Sequence, residues 1–218
     1  MNIESTMEKL RNTLSTIDPE VARIRMDKLK AESEAKLAEI ALEHFNASNV
    51  PLRHKLAIHL DRTGQWEKTR AKVAERLGSG FLIALLGTRG GGKTQIGVEL
   101  IRKNSERRRK SLFCTAMQFF MRVKAGYKPD GDPEEKVLDY FAKPSLLVID
   151  EIGQRSENEW EDRLLYELIN RRYNAISDTL IISNQDVSQL EASLGPSLIS
   201  RMRETGGIIN CNWDSFRK

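Results

Sequence analysis

The stretch Gly87-Thr88-Arg89-Gly90-Gly91-Gly92-Lys93-Thr94 constrains this chain more than any other part of it. It satisfies the pattern GxxxxGK[ST] at every fixed position, between an unbroken apolar run, Phe81 to Leu86, and a helical pattern. A continuous apolar run suits a strand buried on both faces of a parallel sheet. Glycines let the loop after it turn successive backbone N–H groups toward one point, where they hold phosphate oxygens. The positive end of the next helix adds to that point. Lys93 is expected to reach the β- and γ-phosphates, and the Thr94 hydroxyl to ligate Mg²⁺. The expected nucleotide-binding set is Gly87, Thr88, Arg89, Gly90, Gly91, Gly92, Lys93, Thr94 and the adjoining Gln95.

Further apolar segments at Ser111 to Cys114, Leu146 to Ile149 and Leu180 to Ile182 alternate with helical stretches. That alternation specifies an α/β fold with a central parallel sheet between helices. The second apolar segment runs directly into Asp150 and Glu151. Parallel strands deliver such residues to the sheet edge where ligands bind. Asp150 is expected to hold Mg²⁺, and Glu151 to orient and polarise the water that attacks the γ-phosphate. The plainer reading is two solvated acids ending a strand. The third segment runs into Ser183 and Asn184. Alone, Asn184 fits turn chemistry equally well; in order after the other two motifs, it reads as a hydrogen-bonding group for the γ-phosphate or the attacking water. ATP and Mg²⁺ are the cofactors this set requires, gripped between two neighbouring strand tips.

The 218 residues allow one such domain and a short appendage. No apolar run approaches the roughly 20 residues of a membrane span, and Met1 to Leu10 lacks the order of a secretory signal. Cys114 and Cys211 form no CxxC pair, and His44, His54 and His59 are spaced too loosely for a metal site. A cytoplasmic protein is expected. Its net charge of +4 is compatible with a nucleic-acid partner without demanding one.

Asp18-Pro19-Glu20 has the form of a helix start, and Val21, Ile24, Leu29, Leu37, Ile40 and Phe45 follow at mostly helical spacing. An ordinary amphipathic helix and a partner-docking appendage are both consistent with that pattern. Val50-Pro51 breaks it, which sets the expected division at 1–49 and 50–218. A second helical stretch, Gln65 to Leu77, ends at Gly78-Ser79-Gly80.

From about Val50 to Arg217 the residues resemble the AAA+ helicase loaders of the DnaC type, and more distantly the IstB-type ATPases that assist DNA transposases. The resemblance rests on Gly87–Thr94, on Leu146–Gly153, on Ile182-Ser183-Asn184, and on two later stretches. Leu194 to Arg203 is similar to the segment carrying the family's arginine finger, with Arg201 at that position. Asn212-Trp213-Asp214-Ser215-Phe216-Arg217 is similar to the loaders' C-terminal signature, with Arg217 as the second sensor arginine. Two departures stand out: Ser197, where loaders often carry an arginine, and Pro196 beside it.

The resemblance implies an ATP-dependent loader that binds a replicative DNA helicase through its N-terminal region and helps place it on single-stranded DNA. It also implies self-association with nucleotide at subunit interfaces, and adenine contact by Val50 to His54. Single-stranded DNA is assigned to the region Thr115 to Tyr140, where Phe119 and Phe120 read either as core or as a stacking pair. Arg107 to Lys110, with Arg102 and Lys103 before them, read as a solvated helix end or as a DNA contact; Arg171 and Arg172 are similar. A DNA-bound ATPase that assists a transposase is the alternative function.

Overall fold

A computed structural model describes residues 19–56, 64–156 and 158–216. The expected capping residue Asp18 lies outside them, as do His59 and Arg217. The chain divides into two compact units, one through Ile40 and one from Ala41 onward.

The N-terminal helix α1 (Pro19–Asn46) is rich in alanine, leucine, glutamate, lysine and arginine, the strongest helix formers. Val21, Ile24, Met26 and Leu29 on it are exposed. Near its end Phe45 is buried in the second unit, together with Ser48 and Val50. Two further helices, α2 (Leu52–Leu56) and α3 (Gln65–Glu75), precede the sheet.

The second unit is built on a sheet of β1 (Leu82–Leu86), β2 (Ser111–Thr115), β3 (Leu146–Asp150), β4 (Asp178–Ser183) and β5 (Gly207–Asn210). Among the described residues all pairings are parallel and the order is β2-β3-β4-β1-β5. The strands are joined through α4 (Lys93–Glu106), α5 (Ala116–Ala125), α6 (Glu134–Ala142), α7 (Glu159–Asn174) and α8 (Val187–Thr205).

Side chains alternate across a strand, so each strand feeds two cores. Leu82, Ala84 and Leu86 of β1 join Leu147, Ile149 and Ile181 under α5, α6, α7 and α8. Ile83 and Leu85 join Val148, Leu180 and Ile182 under α3 and α4. Burial on both faces is why these segments read as unbroken apolar runs. Gly97 of α4 permits the close approach: a Cβ there would stand 2.9 Å from Val148 Cγ1.

Two arrangements differ from the sequence expectation. The tips of β1 and β3 are not neighbours, because β4 lies between them. And β5, four residues ending against β1, escaped notice because Gly206 and Gly207 interrupt its pattern.

Polar groups fix the strand entrances. Asp178, at the start of β4, accepts from the backbone N–H of Gly80 (2.8 Å), Gly78 and Phe81, pinning the turn that leads into β1. Arg172, read from the sequence as a surface cation, is fully buried. Its guanidinium donates to the carbonyls of Ala142 (2.8 Å) and Pro144 (2.7 Å) and to Thr179 Oγ1 (2.9 Å). Burial pushes its pKa down, but those acceptors satisfy the planar donor fork that lysine lacks. It joins the end of α6 to β4 and does not face a partner.

Candidate functional site

In a parallel sheet all strands deliver their C-terminal ends to one edge, and that edge carries the chemistry here. The loop 87–92 leaves β1, Asp150 ends β3, and Asn184 follows β4. Together with residues from the segment before α3 they line a cavity of about 890 Å³, within the size range of small-ligand sites. Its lining includes Arg89, Gly90, Gly92, Lys93, Thr94, Gln95, Asp150, Glu151 and Asn184.

Two strand ends, those of β1 and β4, meet at Lys93. Its ammonium donates to the carbonyls of Gly87 (2.6 Å) and Thr88 (2.8 Å) and to Asn184 Oδ1 (3.0 Å). β4, inserted between β1 and β3, is what brings Asn184 within reach. Burial presses the Lys93 pKa down, and the nearby Asp150 charge acts against that shift. Thr94 Oγ1 donates to Asp150 Oδ2 at 2.7 Å, linking the first turn of α4 to the tip of β3. Burial raises the Asp150 pKa, opposed by the bonds from Thr94 and from the Glu151 N–H (2.7 Å).

Glu151 takes φ 58°, the left-handed region. This costs a residue with a Cβ on the order of 1 kcal/mol, and such conformations cluster at functional sites. The turn aims the residue after Asp150 into the cavity instead of continuing the strand. Gly87 (φ 140°) and Gly92 (φ 74°) are required by close approach as well as by torsion. A Cβ on Gly87 would stand 2.5 Å from the Cys211 carbonyl, and one on Gly92 2.8 Å from Trp66 Nε1.

The donor set fits a magnesium nucleotide. Thr94 and Asp150 supply two hard oxygens side by side, and among the described residues no group of three or more His, Cys, Asp or Glu could hold a metal alone. Mg²⁺ is usually held that way, by one or two protein oxygens with phosphate oxygens and water completing its shell.

Other expected site residues lie elsewhere. Arg201, in the second half of α8, does not line the cavity. Its guanidinium lies 5.2 Å from the ring centres of both Tyr166 and Tyr173 of α7 and donates to Tyr166 Oη at 3.4 Å. Gly195, with φ 76° and ψ 163°, kinks α8 just before Pro196, so the helix restarts there and presents Arg201 on a separate short segment. Phe119 and Phe120 are buried core, their ring centres 5.1 Å apart, and take the plainer of their two readings. The exposed rings of that region are Tyr127 and Tyr140, and the Arg122 guanidinium lies 3.8 Å from the centre of the Tyr140 ring. Arg107 donates to the Leu77 carbonyl (2.8 Å) and so closes the end of α3.

Sequence reasoning missed several contributors. Gln154 and Phe216 line the cavity, beside Arg53 and His54 of the segment already expected to contact the adenine. Arg155 is buried at a separate cavity bordered by Gly195 and Pro196, paired with Asp162 and bonded to Ser193. Trp66 and Trp213 bond the phosphate loop itself, at Gly92 O (3.1 Å) and Gly91 O (2.7 Å). The sequence signals only that a buried indole N–H usually finds an acceptor, not which acceptor it finds.

The fold and the site together define a P-loop ATP-binding domain. Residues 68–218 match the family described as IstB-like ATP binding protein, and the chain belongs to that family. The replicative helicase loader DnaC of Escherichia coli K12 is 27% identical over 151 residues, 69% of this chain and 62% of that protein. The DnaC of Buchnera aphidicola subsp. Baizongia pistaciae is 31% identical over 109 residues, 49% of this chain and 44% of its own. The chain thus spans less than two thirds of the length of these relatives. Among solved structures, that of the DnaC helicase loader superposes with a TM-score of 0.62 at 20% identity, covering 73% of this chain and 99% of that one. AMPPCP-bound DnaA of Aquifex aeolicus superposes at 0.61 and 17%, covering 72% and 50%. These superpositions bear on the fold alone.

Proposed function

We propose that this protein hydrolyses ATP to load a bacterial replicative DNA helicase onto single-stranded DNA. The observation that carries the proposal is the meeting of Lys93, Thr94, Asp150 and Asn184 at one sheet edge, in a chain similar to helicase loaders over 151 residues. In this reading the loop N–H groups and Lys93 hold the β- and γ-phosphates. Bound Mg²⁺ supplies charge neutralisation at the phosphates, with Thr94 and Asp150 as its protein ligands. The Glu151 carboxylate orients the attacking water and accepts its proton, while Asn184 steadies the γ-phosphate side of the cavity. The remaining loop residues, Thr88, Arg89, Gly90 and Gly91, with Gln95, border the nucleotide.

Arg201 serves the site of a neighbouring subunit, a role supported by its position outside its own cavity. Arg217 acts as the second sensor arginine. Self-association therefore places ATP between subunits. The region 1–49 docks the helicase, the domain 50–218 carries the ATPase, and exposed Tyr140 with Arg122 offers a base a stacking surface. Work on replicating DNA places the protein in the cytoplasm. Among the described residues, no helix is long and apolar enough to cross a membrane.

A pull-down with replicative helicase tests the partner. Full-length protein is expected to retain the helicase, whereas a chain beginning at Ala41, the start of the second compact unit, is expected to lose it. If the full-length chain recovers no helicase, the reading moves to an ATPase that assists a transposase.

A further inference from the structure

Three consecutive carbonyls of the phosphate loop are each held by a donor from a distant part of the chain. Gly90 O accepts from the Phe216 backbone N–H at 3.0 Å. Gly91 O accepts from Trp213 Nε1 at 2.7 Å, and Gly92 O from Trp66 Nε1 at 3.1 Å. Neither tryptophan lines the cavity.

The consequence follows from the planarity of the peptide unit. In a trans peptide the carbonyl and the next residue's N–H point in opposite directions, and among the described residues there is no cis bond. Holding the carbonyls of Gly90, Gly91 and Gly92 toward the tryptophans and the C-terminal segment therefore turns the N–H groups of Gly91, Gly92 and Lys93 the other way. Those are the N–H groups that would hold phosphate. Three glycines in a row have no side chains with which to fix their own torsions, and glycine has the most conformational freedom to lose. Orientation must come from outside the loop. Gly92 O also accepts from the Ile96 N–H of α4 at 3.1 Å, whereas among the described residues the only donors to the carbonyls of Gly90 and Gly91 are Phe216 and Trp213. Gly92 is also boxed in directly: a Cβ there would stand 3.3 Å from the Phe216 ring.

We propose that Trp66, Trp213 and the Phe216 N–H form a clamp that pre-orients the loop for phosphate, making the segment 213–216 a determinant of nucleotide affinity. These are positioning residues, acting through the loop on the ligand. The proposal rests on the nucleotide-site reading above. Pre-orientation raises affinity by removing an ordering cost that binding would otherwise carry.

The test uses the full chain with Trp213→Phe and, separately, Trp66→Phe, each of which removes the N–H and keeps an aromatic body. Affinities for ADP and for inorganic tripolyphosphate are measured by calorimetry in the presence of Mg²⁺. Each substitution is expected to weaken both ligands by a similar factor, about tenfold, as for the loss of one net hydrogen bond. A purely structural role for the rings would not make the loss follow the phosphate groups in this way. If wild-type protein binds both ligands and both variants bind tripolyphosphate as tightly as wild type, the clamp is wrong and the site stands. A loss seen with ADP but not with tripolyphosphate also overturns the clamp, because the effect then lies at the base. Wild-type protein that binds neither ligand removes the nucleotide reading itself.

Discussion

Replacing Arg201 with alanine is expected to lower ATP turnover by about 10³–10⁵-fold, the range for an arginine supplied to a transferring phosphoryl group. ADP binding by the variant should persist, because Arg201 does not line its own chain's cavity. The side chain sits instead between Tyr166 and Tyr173, on the segment of α8 that restarts after the Gly195 kink. In the proposed assembly an arginine placed there would serve a second copy. Mixing Arg201→Ala with Lys93→Ala subunits should then restore turnover that neither has alone, since one contributes an intact cavity and the other an intact finger. Turnover of the wild type should also rise more steeply than linearly with protein concentration. Absence of rescue, together with turnover strictly proportional to concentration, would mean that each chain completes its own site.

Glu151→Gln carries the second large effect. Loss of a positioned general base typically removes about 10²–10⁴-fold in rate, and the amide keeps the size and hydrogen-bonding reach of the carboxylate. ATP should therefore bind with near-normal affinity and remain uncleaved. The left-handed backbone at Glu151 and the bond from its N–H to Asp150 direct the residue into the cavity, next to the proposed magnesium ligands. A variant with ordinary turnover would remove Glu151 from the chemistry and leave its torsion without a functional explanation.

The phosphate loop and the acids after β3 were legible in the sequence because their chemistry is local. Lys93, Thr94 and the glycines lie within one turn and the start of one helix, and the apolar runs announce strands buried on both faces. Strand order was not legible. Nothing in Leu146–Asp150 or Leu82–Leu86 says that β4 separates them, because strand order is a long-range property that no local pattern carries. The insertion matters for the site, since it carries Asn184 to Lys93.

The loop's supporting residues were hidden for a related reason: Trp213 meets Gly91 across 122 residues, and no spacing rule links them. Phe119 and Phe120 show the limit from the other side. Apolar rings beside cations fit a core and a base-stacking surface alike, and only packing against Phe141 and the sheet decides for the core. Arg172 was misread because a charge on a helix suggests solvent until the carbonyls around it are known.

Calorimetric titration of ATP with Mg²⁺ into wild-type protein and Lys93→Ala tests the shared strand-edge site most directly. Saturable binding by the wild type and no detectable binding by the variant is the predicted outcome. Equal affinity in the two proteins would contradict it, because the ammonium that joins the β1 loop to Asn184 would then have no part in holding the phosphates.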